Sequence, residues 1–260
     1  GPKGKLFNWW LRYLWLFTAF IRVLWVNKSV HYDIIHAQAH AGIIPGKIVS
    51  WLTRTPLVLT IHGLQLLETQ PQSLMGKFER LLLTQTSAAK LITVQHHYHD
   101  FSNVHKKANI HVIPNGIELE IFNNTTARKP RVFKMLWVGR FDKFKGLPIL
   151  LAALKKVAIK RKDWQLHLIS HGILENDIKR LVHRMRLKKY VFFRGVMTGQ
   201  LKCKEYKSSH VFVLPSLTEG QPITLMEAAA AKIPVIATNV GDNSHYIVAN
   251  KNGWLVKPNN

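Results

Sequence analysis

From Asp33 onward the chain alternates short, nearly unbroken apolar runs with longer stretches of helical periodicity. The runs lie in YDIIHAQ, PLVLTIHG, AKLITVQ, NIHVIPNGI, FKMLWVGRF, WQLHLIS, YVFFRGV, HVFVLPS, IPVIATN and GWLVKP. Such runs are expected of strands covered on both faces of a parallel sheet. Between them, segments such as GLPILLAALKKVAIKR and ENDIKRLVHRMR repeat their apolar residues at helical spacing. Strict alternation of the two patterns predicts β-α-β units in an α/β, doubly wound fold. The polar stretch FNNTTARKPR, residues 122–131, is the one composition break near the middle. It divides the chain into two expected Rossmann-like domains, residues 1–121 and 132–260. Ligands of such sheets bind beyond the carboxyl ends of the strands, so two facing halves would hold their ligand in a central cleft.

The amino-terminal segment is different. KLFNWWLRYLWLFTAFIRVLWVNKS is apolar almost throughout from Leu6 to Val26, long enough to be weighed as a membrane span. Asn8, Arg12, Thr18 and Arg22 nevertheless fall on roughly a third of the helical circumference, which makes the segment amphipathic. Each arginine would cost about 2.5 to 3.5 kcal/mol near a bilayer centre, whereas Trp and Arg are favourable at an interface. A buried structural helix or a helix lying on a membrane surface therefore fits better than a span. No cleavage-site pattern follows, so no secretory signal is expected.

Composition narrows the partner. The 260 residues are 47% hydrophobic, ample for packed cores, and carry 37 Lys and Arg against 14 Asp and Glu, a formal charge of +23. That balance favours an anionic partner: nucleic acid, an acidic membrane surface or a phosphorylated small molecule. With no aromatic RNA-binding signature and no zinc finger, nucleic acid is not expected. Cys203 is the only cysteine, which excludes an intrachain disulfide and points to a reducing compartment, the cytosol.

Two stretches carry candidate chemistry. In EGQPITLMEAAAAKIPVIAT a strand leads into a helix whose first turn suits Pro222. Glu219 precedes the helix and Glu227 lies in its second turn. No Ser, Thr, Asn or Asp occupies 219–221, so the backbone N–H groups of Gly220, Gln221, Ile223 and Thr224 are open to an anion. An ionised carboxylate only accepts hydrogen bonds, so Glu219 and Glu227 beside that cradle suit a ligand bearing both phosphates and hydroxyls, as a nucleotide sugar does. In WVGRFDKFKGLP, Arg140 and Lys145 occupy another strand-to-helix turn; a planar fork with a mobile point charge serves a diphosphate, although in so basic a chain such a pair is more often solvated than functional. Arg194 in FRGV is placed near a nucleobase. QHHYHD groups His96, His97, His99 and Asp100, a weak candidate for a transition metal against the simpler reading of a surface loop. Glu118 and Glu120 have the spacing of an Asp-x-Asp metal motif but follow PNG and read as a loop.

GRFDKFKG and EGQPITLMEAAAAKIPVIAT together closely resemble the paired signatures of the retaining glycosyltransferases of family 4, the group 1 class with the two-domain GT-B fold. DIIHAQ, VLTIHG, VIPNGIELEIF and GWLVKP extend the likeness in the family's order from about Asp33 onward. The resemblance implies that Arg140 and Lys145 hold the donor diphosphate. Glu219 would lie against the transferred sugar, Glu227 would accept from the nucleotide's ribose hydroxyls, and Gly220, Gln221, Pro222, Ile223 and Thr224 would line sugar and phosphate. His62 of TIHG would contact the sugar and organise the acceptor. The implied activity is hexosyl transfer with retention from a nucleotide-diphosphate sugar to a hydroxyl of a glycan or lipid-linked acceptor, without a metal cofactor. It would serve surface glycan or glycolipid synthesis at the cytoplasmic face, with peripheral contact to anionic membrane. The alternative is a catalytically silent GT-B remnant acting as a binding subunit.

Against the family pattern, the opening strand with its glycine-rich loop and the closing helices are missing, so a fragment or a shortened form with an open sheet edge is expected. Lys232 stands where the family usually has glycine, at a cost of roughly 1 kcal/mol if its backbone is left-handed. His245 stands where a glutamate is common.

Overall fold

The computed structural model describes residues 17–26, 29–62, 77, 90–96 and 110–259. The chain divides into two compact units, Gly1–Pro114 and Asn115–Asn260. All ten apolar runs form strands, and among the described residues every strand pairing is parallel.

In the amino-terminal unit, β1 (Ile35–Gln38), β2 (Leu57–Ile61), β3 (Lys90–Thr93) and β4 (Ile110–Val112) lie side by side in sequence order. Helix α1 (Ala39–Thr53) crosses from β1 to β2. Its Ile43 joins Ala37, Leu57, Leu59, Ile61 and Leu91 in a small core. Gly46 has no Cβ because one would stand 3.0 Å from both Ala37 and Leu57. The helix expected over the amino-terminal apolar segment is present at 17–26, while residues 6–16 lie outside the described residues. Phe20 and Val23 line an open pocket of about 320 Å³ together with residues of β1 and α1, whereas Phe17 and Trp25 are exposed. Among the described residues no helix is long and apolar enough to cross a membrane.

The carboxy-terminal unit begins at Asn115, ahead of the polar stretch 122–131 read as a linker. The physical reason is packing. Helix α2 (Leu119–Asn123) buries Phe122 at the edge of this unit's core, with Ile117 and Ile121 against it. Six strands follow: β5 (Phe133–Val138), β6 (Trp164–Ile169), β7 (Val191–Gly195), β8 (Val211–Leu214), β9 (Val235–Thr238) and β10 (Gly253–Val256). Their order across the sheet is β10-β9-β8-β5-β6-β7. The chain therefore runs outward from β5 to β7, returns to the other side of β5, and runs outward again. The switch point lies between β5 and β8, where such sheets take their ligands.

Alternate residues of the central strands feed two cores. Met135, Trp137, Val211 and Val213 pack under α3 (Leu147–Lys160) and α4 (Glu175–Arg184). Leu136, Val138, Phe212 and Leu214 pack under α5 (Gly199–Lys207) and α6 (Ile223–Ala230). Burial on both faces is why these strands read as continuous apolar runs. A short α7 (Asn243–Tyr246) precedes β10.

One buried ionic cluster interrupts the second face. Glu205 of α5 accepts hydrogen bonds from Lys134 Nζ and His167 Nδ1, 2.6 and 2.9 Å from its Oε2, and from Arg194 Nη2, 3.1 Å from its Oε1. Lys134 is only 5% exposed and also donates to Ser208 Oγ. Burial by itself would raise the Glu205 carboxyl, but the hydrogen bonds from His167 and Lys134 and their charges outweigh it and bring the pKa down from 4.5 to about 2. A depressed carboxyl stabilises the fold above its unfolded pKa, here above about pH 4.5, and that contribution is lost as pH falls through about 2. Its size is on the order of 3 kcal/mol. In urea titrations from pH 7 to 2, Glu205→Gln should cost about 3 to 5 kcal/mol at neutral pH, because it strands the Lys134 ammonium. The variant should also lose less further stability than the parent on acidification from pH 4.5 to 2.

Lys232 adopts the left-handed backbone anticipated for it, with φ 56° at the end of α6. Lys232→Gly should raise stability by about 0.5 to 1 kcal/mol, read as a higher urea midpoint at unchanged slope.

Candidate functional site

The loop after β5 is organised by Asp142. Its Oδ1 accepts from the Phe144 N–H at 2.9 Å, capping the single 3-10 turn Lys143–Lys145, and its Oδ2 accepts from Arg140 Nε at 3.0 Å. The Arg140 side chain is held at its base yet remains 77% exposed. Gly146, at φ 63°, then opens α3; a Cβ there would stand 1.8 Å from Pro215 O, so only glycine lets the loop after β8 come this close. The Leu217 N–H donates to Phe144 O at 2.7 Å, joining the two loops by their backbones.

Glu219 is fixed between neighbours. Behind it, Gly241 at φ 51° would place a Cβ 2.0 Å from Glu219 O, and the Asp242 N–H donates to Gly220 O at 3.1 Å. In front, Lys145 Nζ and Ser216 Oγ each donate to Glu219 Oε1 at 2.6 Å. Lys145 and Glu219, 74 residues apart, thus meet as an ion pair with side chains 25% and 7% exposed. A pair this shielded is held more firmly than a surface one.

Helix α6 starts at Ile223 with Pro222 at its N-cap, one position before the first turn, and no side chain caps it. The bare helix end expected from the sequence is present, and its orphan N–H groups with the helix dipole favour an anion. Gln221 serves a different purpose from Ile223 and Thr224: its side chain is buried, its Oε1 accepts from the Asn115 N–H at 2.7 Å and its Nε2 donates to Tyr246 Oη. Only its backbone is left for a ligand. Glu227 lies one turn further along and is 6% exposed. Tyr206 Oη donates to its Oε2 at 2.8 Å, and Lys202 Nζ donates to its Oε1.

Arg194, expected near a nucleobase, donates through Nη2 to Glu205 Oε1 in the ionic cluster, with its side chain 43% exposed. His62 follows β2 in the amino-terminal unit, its Nε2 2.8 Å from Gln38 Oε1; Gln38 Nε2 in turn lies 3.0 Å from His36 Nε2, and His36 stands 2.7 Å from Thr60 Oγ1. Of the histidine group considered for metal, His96 is described and His97, His99 and Asp100 lie outside the described residues. Among the described residues no three metal-ligating side chains cluster.

Asp142, Ser216, Lys202 and Tyr206 were not singled out from the sequence. Lys202 and Tyr206 had a usable signal, since residues four apart share one helix face.

This geometry agrees with the comparisons. Residues 120–260 match the family model described as Glycosyl transferases group 1, and residues 2–121 match the model described as Glycosyltransferase Family 4. Among curated relatives, the Escherichia coli UDP-Gal:alpha-D-GlcNAc-diphosphoundecaprenol alpha-1,3-galactosyltransferase is 29% identical over 253 residues, 89% of this chain and 64% of the relative. The D-inositol 3-phosphate glycosyltransferase of Pseudarthrobacter chlorophenolicus is 28% identical over 252 residues, 86% and 59% of the two chains. The chain thus spans less than two thirds of the length of either. Solved structures with the same fold include Anabaena Alr3699/HepE in complex with UDP and glucose, at TM-score 0.77 and 19% identity over 92% of this chain and 68% of that one. Sucrose-phosphate synthase from Thermosynechococcus elongatus gives 0.75 and 23% over 94% and 66%.

Proposed function

The chain belongs to the group 1 glycosyltransferases, and on that premise we propose that it moves a hexosyl group from a nucleotide-diphosphate donor to an acceptor hydroxyl with retention at the anomeric carbon. The observation that carries this reading is the Lys145–Glu219 pair at 2.6 Å, set at the switch point of the carboxy-terminal sheet, beside an uncapped helix start and an exposed Arg140. In this reading Lys145, Arg140 and the uncapped start of α6 would face a diphosphate, and the carboxylates beside them would face hydroxyls.

In this proposal the bond between the anomeric carbon and the diphosphate oxygen breaks with its electron pair passing to the diphosphate. The acceptor oxygen bonds to the same face of the sugar, and its proton passes to the departing phosphate. Arg140, Lys145 and the N–H groups at the start of α6 face the charge that grows on the leaving group, so they stabilise the transition state more than the ground state. They supply the positive charge that a metal would otherwise bring, and no metal is required. Glu219 accepts from the sugar and Glu227 from the ribose, while His62 serves the acceptor side.

The relative named for a diphosphoundecaprenol acceptor suggests the acceptor class: a glycan or a lipid-linked sugar. A basic chain with exposed Phe17 and Trp25 on an amino-terminal helix suits peripheral contact with an anionic membrane.

Isothermal titration of the full chain with UDP, GDP and ADP and their sugars tests the reading. One nucleotide series should bind. Arg140→Ala and Lys145→Ala should each weaken the diphosphates about 10- to 100-fold, the range for a charged hydrogen bond, and leave the corresponding nucleoside unaffected. Binding followed by turnover on a polyprenyl-diphosphate sugar supports the enzyme. Binding without turnover on any acceptor favours the binding-subunit reading, and no binding to any of the three series overturns both.

A further inference from the structure

The two site carboxylates are each held by a lysine from elsewhere in the fold: Glu219 by Lys145, and Glu227 by Lys202. The second lysine has no role in the reading above. Lys202 and Tyr206 are four residues apart on α5, so they rise from one face of the helix, and each takes one oxygen of the same carboxylate. The two donors differ in what they leave open. Tyr206 is wholly buried, and burial together with the neighbouring Glu227 charge raises its pKa well above the ordinary phenol value, so it remains a fixed neutral donor to Oε2. The Lys202 side chain is 27% exposed against 9% for that of Glu227. The Lys202–Oε1 edge is therefore the side from which a ligand reaches the carboxylate.

An ammonium has three donors and no acceptor, an ionised carboxylate has only acceptors, and a hydroxyl carries both functions. A Lys–Glu pair at the wet edge of a site is thus complementary to a hydroxyl, which gives its proton to one partner and accepts from the other. It is less complementary to a hydrogen in the same place, which leaves the pair unchanged, or to a phosphate, which the carboxylate repels. Without the ammonium, a carboxylate this buried would bear its desolvation cost against one neutral donor.

Resting on the assignment of Glu227 to the ribose, we propose that Lys202 is the positioning and specificity residue for the ribose hydroxyls of a ribonucleoside diphosphate. It holds the Glu227 carboxylate through Oε1 and shares each incoming hydroxyl with that oxygen. Lys145 cannot replace it, being engaged with Glu219 and the diphosphate loop.

The test is titration of the full chain with UDP, GDP and ADP and with their 2′,3′-dideoxy counterparts. The parent should prefer the ribose form. Lys202→Met should lose about tenfold in affinity for the ribose form and little for the dideoxy form, so the preference collapses. Lys202→Arg should keep most of the preference. Adding Lys202→Met to Glu227→Gln should lower it no further than Glu227→Gln alone. A purely structural lysine would weaken both forms equally, and that result overturns the proposal, as does an unchanged preference in Lys202→Met. Should Lys202→Met unfold on a thermal melt, Lys202→Gln carries the same comparison. A parent that binds none of the nucleotides overturns the ribose assignment itself; a parent that binds them with a lysine-independent preference overturns only the role of Lys202.

Discussion

The carboxy-terminal unit depends on one close approach: the loop after β5 lies against the loop after β8 with no room for a methyl group between Gly146 and the Pro215 carbonyl. Parallel strands that diverge around a switch point leave a gap beyond their ends, and most such gaps are filled by a ligand. Here part of it is closed by backbone, through the Leu217 N–H on Phe144 O. That contact fixes the height at which Lys145 meets Glu219. The ion pair is thus a consequence of the loop packing, since two flexible side chains alone would gain little from pairing.

Helix α5 shows how a basic chain economises its few carboxylates. One face sends Lys202 and Tyr206 to Glu227, and the adjacent Glu205 turns the other way to gather Lys134, His167 and Arg194. The helix therefore separates two electrostatic assemblies that share the second core. Glu205 answers a buried ammonium and would be expensive to leave unpaired. Glu227 is as buried as Glu205, but its partner Lys202 reaches solvent, so that pairing can be exchanged. Two equally buried carboxylates acquire different uses from the exposure of their partners.

Much of this was legible in the chain, for identifiable reasons. The strands announced themselves because helices cover both faces of the second sheet, so their apolar residues are continuous. Glu219, Glu227, Arg140 and Lys145 were legible because strand-to-helix loops with glycine and proline mark the ligand end of such sheets. What could not be read was pairing at a distance. Nothing local to Arg194 signals that Glu205, eleven residues on, will claim it, and nothing around Glu227 names Lys202, 25 residues earlier. The polar run 122–131 is conspicuous by composition, but Phe122 at its start is buried, a packing contact that no local pattern signals.

Gly241 carries a last consequence. Its missing side chain lets the turn after β9 press on the Glu219 carbonyl from behind, while the β5 loop bears on the neighbouring backbone from in front. A loop gripped from two directions has little freedom to drift as sequences diverge, for a larger residue on either side would have to be matched at once on the other. Change in such a scaffold is steered toward the side chains that the loop presents, leaving its backbone spine as a fixture.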